Sequence, residues 1–276
     1  MTLLDARFET VAEGRRLRVA RLGEGPPVVL LHGYPENLQL YCALVPELAA
    51  RGLTAVALDW PGMGSSDPWP GGATPFHLGD RIVALLDALG IERASLLGTD
   101  MGGQPALACA ARHPERVERL IVSNSLVLPD ERTSWEIRVL RRFGWNRAVL
   151  RFLPRIVFGR AERTFLPPGV RLPDDLRADL WAAFRRQDVR AFIVRMCAGY
   201  QGTLPHLAQV YGSIARPTLA LWGEDDRHFP PAHGEGLAAR VPGCRLEVLA
   251  GAGHWMAFDR AREVAERVAA FVLGQA

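Results

Sequence analysis

The chain alternates between short runs of apolar residues and longer segments in which apolar residues recur at helical spacing. Seven of the short runs are typical of strands, and several are continuously apolar, which suits a sheet buried on both faces. The predicted strands cover residues 16–22, 27–32, 54–60, 94–98, 119–124, 217–223 and 245–250. Helical patterns lie between them, at about residues 76–89, 101–113 and 259–273. Strands that alternate with helices predict an α/β fold with a mostly parallel central sheet flanked by helices.

One long segment interrupts this alternation. From residue 128 to residue 213 the pattern is helical, with proline and glycine punctuation in FLPPGV and LPDDL, and a strand pattern resumes only at Pro217. We interpret this segment as an all-helical insertion that lies over the strand ends as a lid. The predicted domains are therefore an α/β core, residues 1–127 and 214–276, and a helical cap, residues 128–213.

Composition narrows the class of protein. A chain of 276 residues that is 49% hydrophobic can bury one large core. We find neither a signal-peptide pattern nor a run long enough to span a membrane, so we expect a cytoplasmic protein without a membrane partner. The four cysteines are scattered singly, which predicts reduced, mostly buried thiols and no metal site.

The charges are unevenly distributed along the chain. All 33 basic residues are arginine, and the segment from Leu128 to Arg216 holds 16 of them against 8 acidic residues. This basic segment either attracts an anionic substrate or surface, or consists of solvated helix faces. Because no nucleic-acid-binding motif accompanies it, we expect no nucleic-acid partner.

The segment LLGTDMGG, residues 96–103, follows a predicted strand and begins a predicted helix. Small residues two positions before and after Asp100 would let the chain turn sharply and present this side chain at the edge of the sheet. An ordinary strand-to-helix turn capped by an aspartate has the same pattern.

Two further segments favour a catalytic interpretation. LWGEDD places Asp226 after one strand, with Asp225 as the competing acid, and AGAGHWM places His254 after the next. The order nucleophile, acid, histidine, each at the carboxyl end of a strand, resembles that of the α/β-hydrolase superfamily. The resemblance, with its W-G-x-x-D pattern, favours Asp226 as the acid.

The segment HGYPE, residues 32–36, extends this resemblance, which covers the whole chain including the cap. It implies an oxyanion hole formed by the backbone N–H groups of Tyr34 and Met101, with a cis bond before Pro35. An aspartate at the nucleophile position is similar to that of epoxide hydrolases and of haloalkane or haloacetate dehalogenases.

The chemistry of a carboxylate supports this branch independently. Attack by Asp100 on an acyl carbon would give a labile anhydride, whereas attack on a saturated carbon gives an ordinary ester. His254 would then activate water to hydrolyse the ester, and Asp226 would orient His254. This mechanism requires no cofactor and no metal.

The leaving group distinguishes the members of this branch. Epoxide hydrolases usually supply a proton donor from two cap tyrosines, and Tyr200 lies about where the second is expected, whereas the first is missing. Tyr211 or His206 could substitute for it. Dehalogenases commonly place Trp or Arg after the nucleophile, where this chain has Met101.

We therefore expect an epoxide hydrolase that gives a vicinal diol, with a small hydrophobic organic substrate and water as its partners. The alternatives are a dehalogenase with an atypical halide pocket, and a tailoring enzyme or non-catalytic binding protein with the same fold. This chain has Tyr34 where some haloalkane dehalogenases have an asparagine, and Gln104 where haloacetate dehalogenases have an arginine. The dehalogenase alternative would need an indole N–H from elsewhere, for which the candidates are Trp60, Trp135, Trp145 and Trp181. The sequence does not indicate an oligomeric state.

Overall fold

The computed structural model describes residues 2–275, which contain a sheet of eight strands in the order β1-β2-β4-β3-β5-β6-β7-β8. Strands β3 to β8 are parallel, and β1 and β2 are antiparallel at one edge. The strands are β1 (Arg7–Thr10), β2 (Arg16–Leu22), β3 (Pro27–Leu31), β4 (Thr54–Leu58), β5 (Ala94–Thr99), β6 (Val117–Ser123), β7 (Thr218–Gly223) and β8 (Arg245–Leu249). The predicted α/β fold with a mostly parallel central sheet flanked by helices is confirmed.

Helices cover both faces of this sheet and enclose two apolar cores. One core packs against α1, α10 and α11, and the other packs against α2, α3 and α9 and continues among α4 to α8. The helices are α1 (Leu44–Ala49), α2 (Pro75–Ala88), α3 (Gly103–Arg112), α4 (Trp135–Arg141), α5 (Trp145–Phe152), α6 (Pro154–Phe165), α7 (Asp174–Phe184), α8 (Gln187–Gln209), α9 (Ala232–Ala238), α10 (Met256–Asp259) and α11 (Ala261–Val272). Strands β4, β5 and β7 are buried along their whole length, which explains their continuous apolar runs.

Five helices, α4 to α8, and no described strand lie between β6 and β7. They reach the carboxyl ends of the strands: the ring of Phe184 packs edge-on against Tyr34, and the ring of Phe165 packs against His254. Gly144 adopts a φ of 98° and separates α4 from α5, a position that favours glycine. The division into a core and a cap at residues 128 and 213 stays a prediction.

Two absences concern the described part of the chain. None of its helices combines the length and the apolar character needed to cross a membrane. Within residues 2–275, no three His, Cys, Asp or Glu side chains are grouped so that they could hold a metal ion.

Candidate active site

Asp100 lies directly after β5, where the chain turns from the strand into α3. Its φ of 48° is in the left-handed region, which a non-glycine residue rarely adopts. A side chain at Gly98 would come within 2.6 Å of the carbonyl oxygen of Gly102, so only small residues allow strand and helix to approach this closely. Ser125 Oγ donates a hydrogen bond of 2.6 Å to the carbonyl oxygen of Asp100 and holds the turn.

The two carboxylate oxygens of Asp100 have different surroundings. Oδ1 accepts hydrogen bonds from the backbone N–H of Tyr34, at 3.1 Å, and from that of Met101. Oδ2 lies 3.2 Å from Nε2 of His254, at ion-pair distance but without the alignment of a hydrogen bond. The structure thus brings the two predicted oxyanion donors to one oxygen of the predicted nucleophile and the histidine to the other.

His254 follows β8 and is held on its far side by Asp226. Nδ1 of His254 lies 2.8 Å from Oδ2 of Asp226, whose Oδ1 accepts the backbone N–H groups of His228 and Phe229 at 2.8 and 3.1 Å. Asp226 is buried, whereas Asp225 is exposed. Asp226, and not Asp225, is therefore the acid that contacts the histidine.

The two carboxylates control the protonation of His254. Burial by itself lowers the pKa of this imidazole, but the nearby carboxylates of Asp226, which is hydrogen-bonded to Nδ1, and Asp100, which lies at ion-pair distance from Nε2, outweigh that effect and raise the pKa to about 10. With both carboxylates ionised, His254 is therefore a cation at neutral pH.

Asn124, directly after β6, joins three of the loops at this edge, and sequence analysis missed it. Its Nδ2 donates to the carbonyl oxygens of Gly253 and His254 at 3.0 and 2.9 Å, and its Oδ1 accepts the N–H of Gly223 at 2.9 Å. The sequence signal that could have identified Asn124 is a polar residue directly after an apolar strand.

Glu36 is a second buried group that sequence analysis did not assign. Its carboxylate accepts the indole N–H of Trp255 at 2.6 Å and the backbone N–H of Gly33 at 2.8 Å. Burial, followed by the charge of Asp100, raises the pKa of Glu36 to about 8. Through these two hydrogen bonds, Glu36 connects the loop of the predicted oxyanion hole to the segment that carries His254.

Three of the four tyrosine hydroxyls have acceptors in the protein. Tyr200 donates to the carbonyl oxygen of Met101 at 2.8 Å, Tyr211 donates to that of Val127 at 2.7 Å, and the Tyr41 hydroxyl lies 2.7 Å from Thr99 Oγ1. The buried Tyr34 hydroxyl has no hydrogen-bond partner among residues 2–275. His206, the other substitute donor considered from sequence, is exposed.

A small cavity of about 50 Å³ adjoins Asp100. Its lining is mostly apolar and includes Tyr34, Gln104, Arg141 and Tyr200. The four tryptophans considered as halide donors do not line it. The indole N–H of Trp60 donates to His32, Trp135 and Trp145 are more than half exposed, and Trp181 packs against Phe158.

His228 links the helical segment to the core, a role that the sequence did not indicate. Its Nδ1 lies 2.7 Å from Ser134 Oγ, at the start of α4, and its Nε2 lies 3.0 Å from Thr164 Oγ1 on α6. Burial lowers the pKa of His228 to about 4, so the imidazole is neutral at physiological pH. The ring of Phe165 packs against both His228 and His254, with centroids 4.5 and 4.3 Å away.

Comparison with known proteins extends these observations. A 2-hydroxy-6-oxononadienedioate/2-hydroxy-6-oxononatrienedioate hydrolase of Cupriavidus pinatubonensis is 29% identical over 282 residues, covering 97% of this chain and 95% of that protein. Among solved structures, a hydrolase from Pseudomonas aeruginosa has a TM-score of 0.81 at 24% identity, covering 97% of this chain and 98% of that one. An enol-lactonase from Burkholderia xenovorans has a TM-score of 0.79 at 23% identity, covering 97% of this chain and 100% of that one.

The family model of the alpha/beta hydrolase fold matches residues 26–261. This range includes the loop that carries Tyr34, the turn at Asp100 and the loops that carry Asp226 and His254. The chain therefore belongs to the alpha/beta hydrolase family.

Proposed function

We propose that this hydrolase acts on a saturated carbon through an ester formed on Asp100, and that it opens epoxides to vicinal diols. The observation that carries the proposal is the orientation of the Asp100 carboxylate. Oδ1 accepts two backbone N–H groups, and Oδ2 is left as the oxygen that attacks. An aspartate at this position gives a stable ester only with an alkyl electrophile, because an acyl electrophile would give an anhydride.

In the first step, Oδ2 of Asp100 forms a bond to an epoxide carbon while the bond from that carbon to the ring oxygen breaks. Oδ1 becomes the carbonyl oxygen of the ester and stays against the N–H groups of Tyr34 and Met101. These donors then stabilise the oxyanion that develops when water attacks the ester carbonyl.

In the second step, His254 takes a proton from the attacking water. Esterification removes the negative charge of Asp100, which is one of the groups that raise the pKa of His254. The pKa of the imidazole therefore falls once the ester forms, and His254 becomes a base at the stage that needs one. Asp226 keeps Nδ1 protonated and stabilises the charged form.

The departing epoxide oxygen needs a proton donor, and we assign this role to the Tyr34 hydroxyl. It is buried in the lining of the cavity at Asp100 and is the tyrosine hydroxyl without an acceptor in residues 2–275. Burial, with the nearby Cys197 and Asp100, raises the pKa of Tyr34 well above its usual value, so the hydroxyl keeps its proton at neutral pH. Tyr200, the donor expected from sequence, already donates to the carbonyl oxygen of Met101.

The proton balance closes over the two steps. Tyr34 gives its proton to the alkoxide of the opened ring, and the proton that His254 loses once the ester has formed passes through water to the Tyr34 phenolate. The neutral His254 then takes a proton from the attacking water and gives it to the departing diol oxygen when the tetrahedral intermediate collapses, so that Asp100 emerges as a carboxylic acid. Asp100 passes this proton to His254, which lies 3.2 Å away, and the resting pair of carboxylate and imidazolium is restored. The net reaction consumes one epoxide and one water.

A second candidate is hydrolysis of a 2-hydroxy-6-oxo-dienedioate, the substrate in the name of the relative from Cupriavidus pinatubonensis. Arg141 lines the cavity and offers one cation to a carboxylate substrate. A dehalogenase is less supported, because Gln104 Nε2 donates to the carbonyl oxygen of Leu126 and the tryptophans do not line the cavity.

Product analysis on a matched substrate set tests the proposal. Purified protein should convert an apolar terminal or disubstituted epoxide to its diol, and Asp100→Asn should abolish this conversion. Halide release from the matching bromoalkane, without diol formation from the epoxide, would favour the dehalogenase. If the protein cleaved a 2-hydroxy-6-oxo-dienedioate and converted no epoxide, it would have the activity in the relative's name, and the epoxide proposal would be overturned.

A further inference from the structure

Residues 142–156 expose an apolar surface, called here the cap face. Phe143, Trp145, Phe152 and Ile156 are 60%, 70%, 72% and 63% exposed. Trp145 and Phe152 are seven residues apart on α5 and so lie on one side of this helix, opposite the buried Leu150. Large apolar side chains gathered on one exposed surface mark an interaction site.

The same surface is strongly basic. Residues 137–161 contain seven arginines and no aspartate or glutamate. Arg142, Arg147, Arg151 and Arg155 are exposed, and within residues 2–275 they form no ion pair. Because guanidinium groups bind phosphate oxygens well, the cap face combines apolar anchors with sites for anions.

An apolar cavity of about 230 Å³ reaches the protein surface at this face. The exposed side chains of Trp135, Leu153 and Ile156 line its outer part. Tyr34 lines both this cavity and the smaller one that holds Asp100. Ile137 and Leu140 also line both cavities, so the cavity at the cap face adjoins the active-site cavity at these side chains.

We propose that the cap face docks this protein onto a membrane surface that contains anionic phospholipids. Exposed aromatic side chains enter the boundary between head groups and acyl chains, and the arginines bind the lipid phosphates. The apolar cavity then receives a hydrophobic molecule directly from the lipid phase. The docking does not depend on the proposed reaction of Asp100, and it replaces the sequence-based expectation of no membrane partner.

Charge and cavity position favour a lipid surface over other occupants. In a two-fold dimer, the arginines of one cap face would meet those of the other, because such an interface places the same patch on both subunits. An acidic protein partner would satisfy the charges but would also cover the outer part of the cavity. A bilayer supplies both negative charge and apolar ligands.

Vesicle flotation tests this proposal. The purified protein should bind vesicles of phosphatidylcholine mixed with phosphatidylglycerol more tightly than vesicles of phosphatidylcholine alone, and high salt should weaken the binding. Arg147→Gln and Arg151→Gln should each reduce affinity about fivefold. Phe152→Ala should reduce binding in both low and high salt. Asp100→Asn should bind like the wild type, which separates docking from catalysis.

Phe8→Ala and Arg21→Gln are the matched controls, because both residues are exposed on the antiparallel strands β1 and β2, outside the cap face. They should leave binding unchanged. Brominated lipids should quench the tryptophan fluorescence of the wild type more strongly than that of Trp145→Phe, which reports contact of the cap face with lipid without relying on affinity. Equal binding to both vesicle types, no quenching, or a cap-face-dependent dimer that ignores vesicles would each overturn the proposal.

Discussion

Nε2 of His254 lies 3.2 Å from Oδ2 of Asp100, in a site where both side chains are buried. The histidine is thus positioned beside the oxygen that we expect to attack the substrate. The same contact makes the protonation of the base depend on the charge of the nucleophile. This coupling leads to several of the predictions below.

Replacement of His254 by glutamine should stop the reaction after the first step. Without a base, the ester on Asp100 accumulates, because water is not activated. After exposure to an epoxide, mass spectrometry of the peptide that contains residues 96–103 should show an adduct of the substrate mass.

His206→Gln is the control for that experiment, because His206 is exposed on α8 and should turn over without a lasting adduct. The double variant Asp100→Asn/His254→Gln should also stay unmodified. If the His254→Gln protein consumed substrate but remained unmodified, His254 would not be the hydrolytic base.

The pH dependence of ester hydrolysis should reveal the coupling between Asp100 and His254. Ionised Asp100 and Asp226 together hold the pKa of His254 at about 10, and esterification removes one of the two charges. A lost negative neighbour lowers the pKa of an imidazole, so the rate of ester hydrolysis should rise with pH and level off at an apparent pKa below 10. Rapid quenching after a single turnover measures this rate, and a rate that decreased over the same range would contradict the mechanism.

The Tyr34→Phe variant should be impaired in ring opening. Loss of a general acid reduces the rate of the assisted step by about 10²- to 10⁴-fold. Formation of the ester from an epoxide should slow by this amount, whereas hydrolysis of the ester, once formed, should change little. Stopped-flow or rapid-quench measurements separate the two steps.

Tyr200→Phe is the matched variant, because it also removes one hydroxyl from the lining of the same cavity. It should alter ring opening only slightly, since its hydroxyl donates to Met101. The reverse result, a slow Tyr200→Phe and a normal Tyr34→Phe, would restore Tyr200 as the donor while leaving the ester mechanism intact.

The close packing of Gly33 against Asp100 predicts a strong effect of one methyl group. A Cβ atom at Gly33 would lie 2.6 Å from Cγ of Asp100, so Gly33→Ala must displace the nucleophile. A displacement of about 1 Å lowers activity about a hundredfold. Gly202→Ala, where a Cβ would meet nothing within 4 Å, should keep full activity in the same assay.

The sequence predicted those strands and helices whose residues are buried in a regular pattern over the whole element. Seven strands were found at nearly their observed positions, because apolar runs mark a sheet covered on both faces. Strand β1 was missed because its residues are mostly exposed, and α1 and α9 were missed because each has only 6 or 7 residues. The predicted helix at 259–273 corresponds to α11, and the short α10 before it was missed.

The sequence predicted the site residues that directly follow strands, because the carboxyl ends of parallel strands meet at one edge of the sheet. Contacts across the helical segment were not predictable in this way. In the described part of the chain the Tyr34 hydroxyl has no hydrogen-bond partner, whereas that of Tyr200 donates to Met101, because of how α7 and α8 pack on the core. The anchoring of His228 has no local sequence pattern, and the position of Asn124 after an apolar strand does not show which loops it joins.

Formation of an ester on Asp100 is tested most directly by a single turnover in water enriched in ¹⁸O, with enzyme in excess over epoxide. In the proposed mechanism water attacks the carbonyl carbon of the Asp100 ester, so the new hydroxyl of the first diol carries the unlabelled oxygen of Asp100. The peptide containing Asp100 should gain the label, and diols from later turnovers should become labelled. Label in the first diol, with an unlabelled Asp100, would show direct attack of water on the epoxide and would contradict the mechanism.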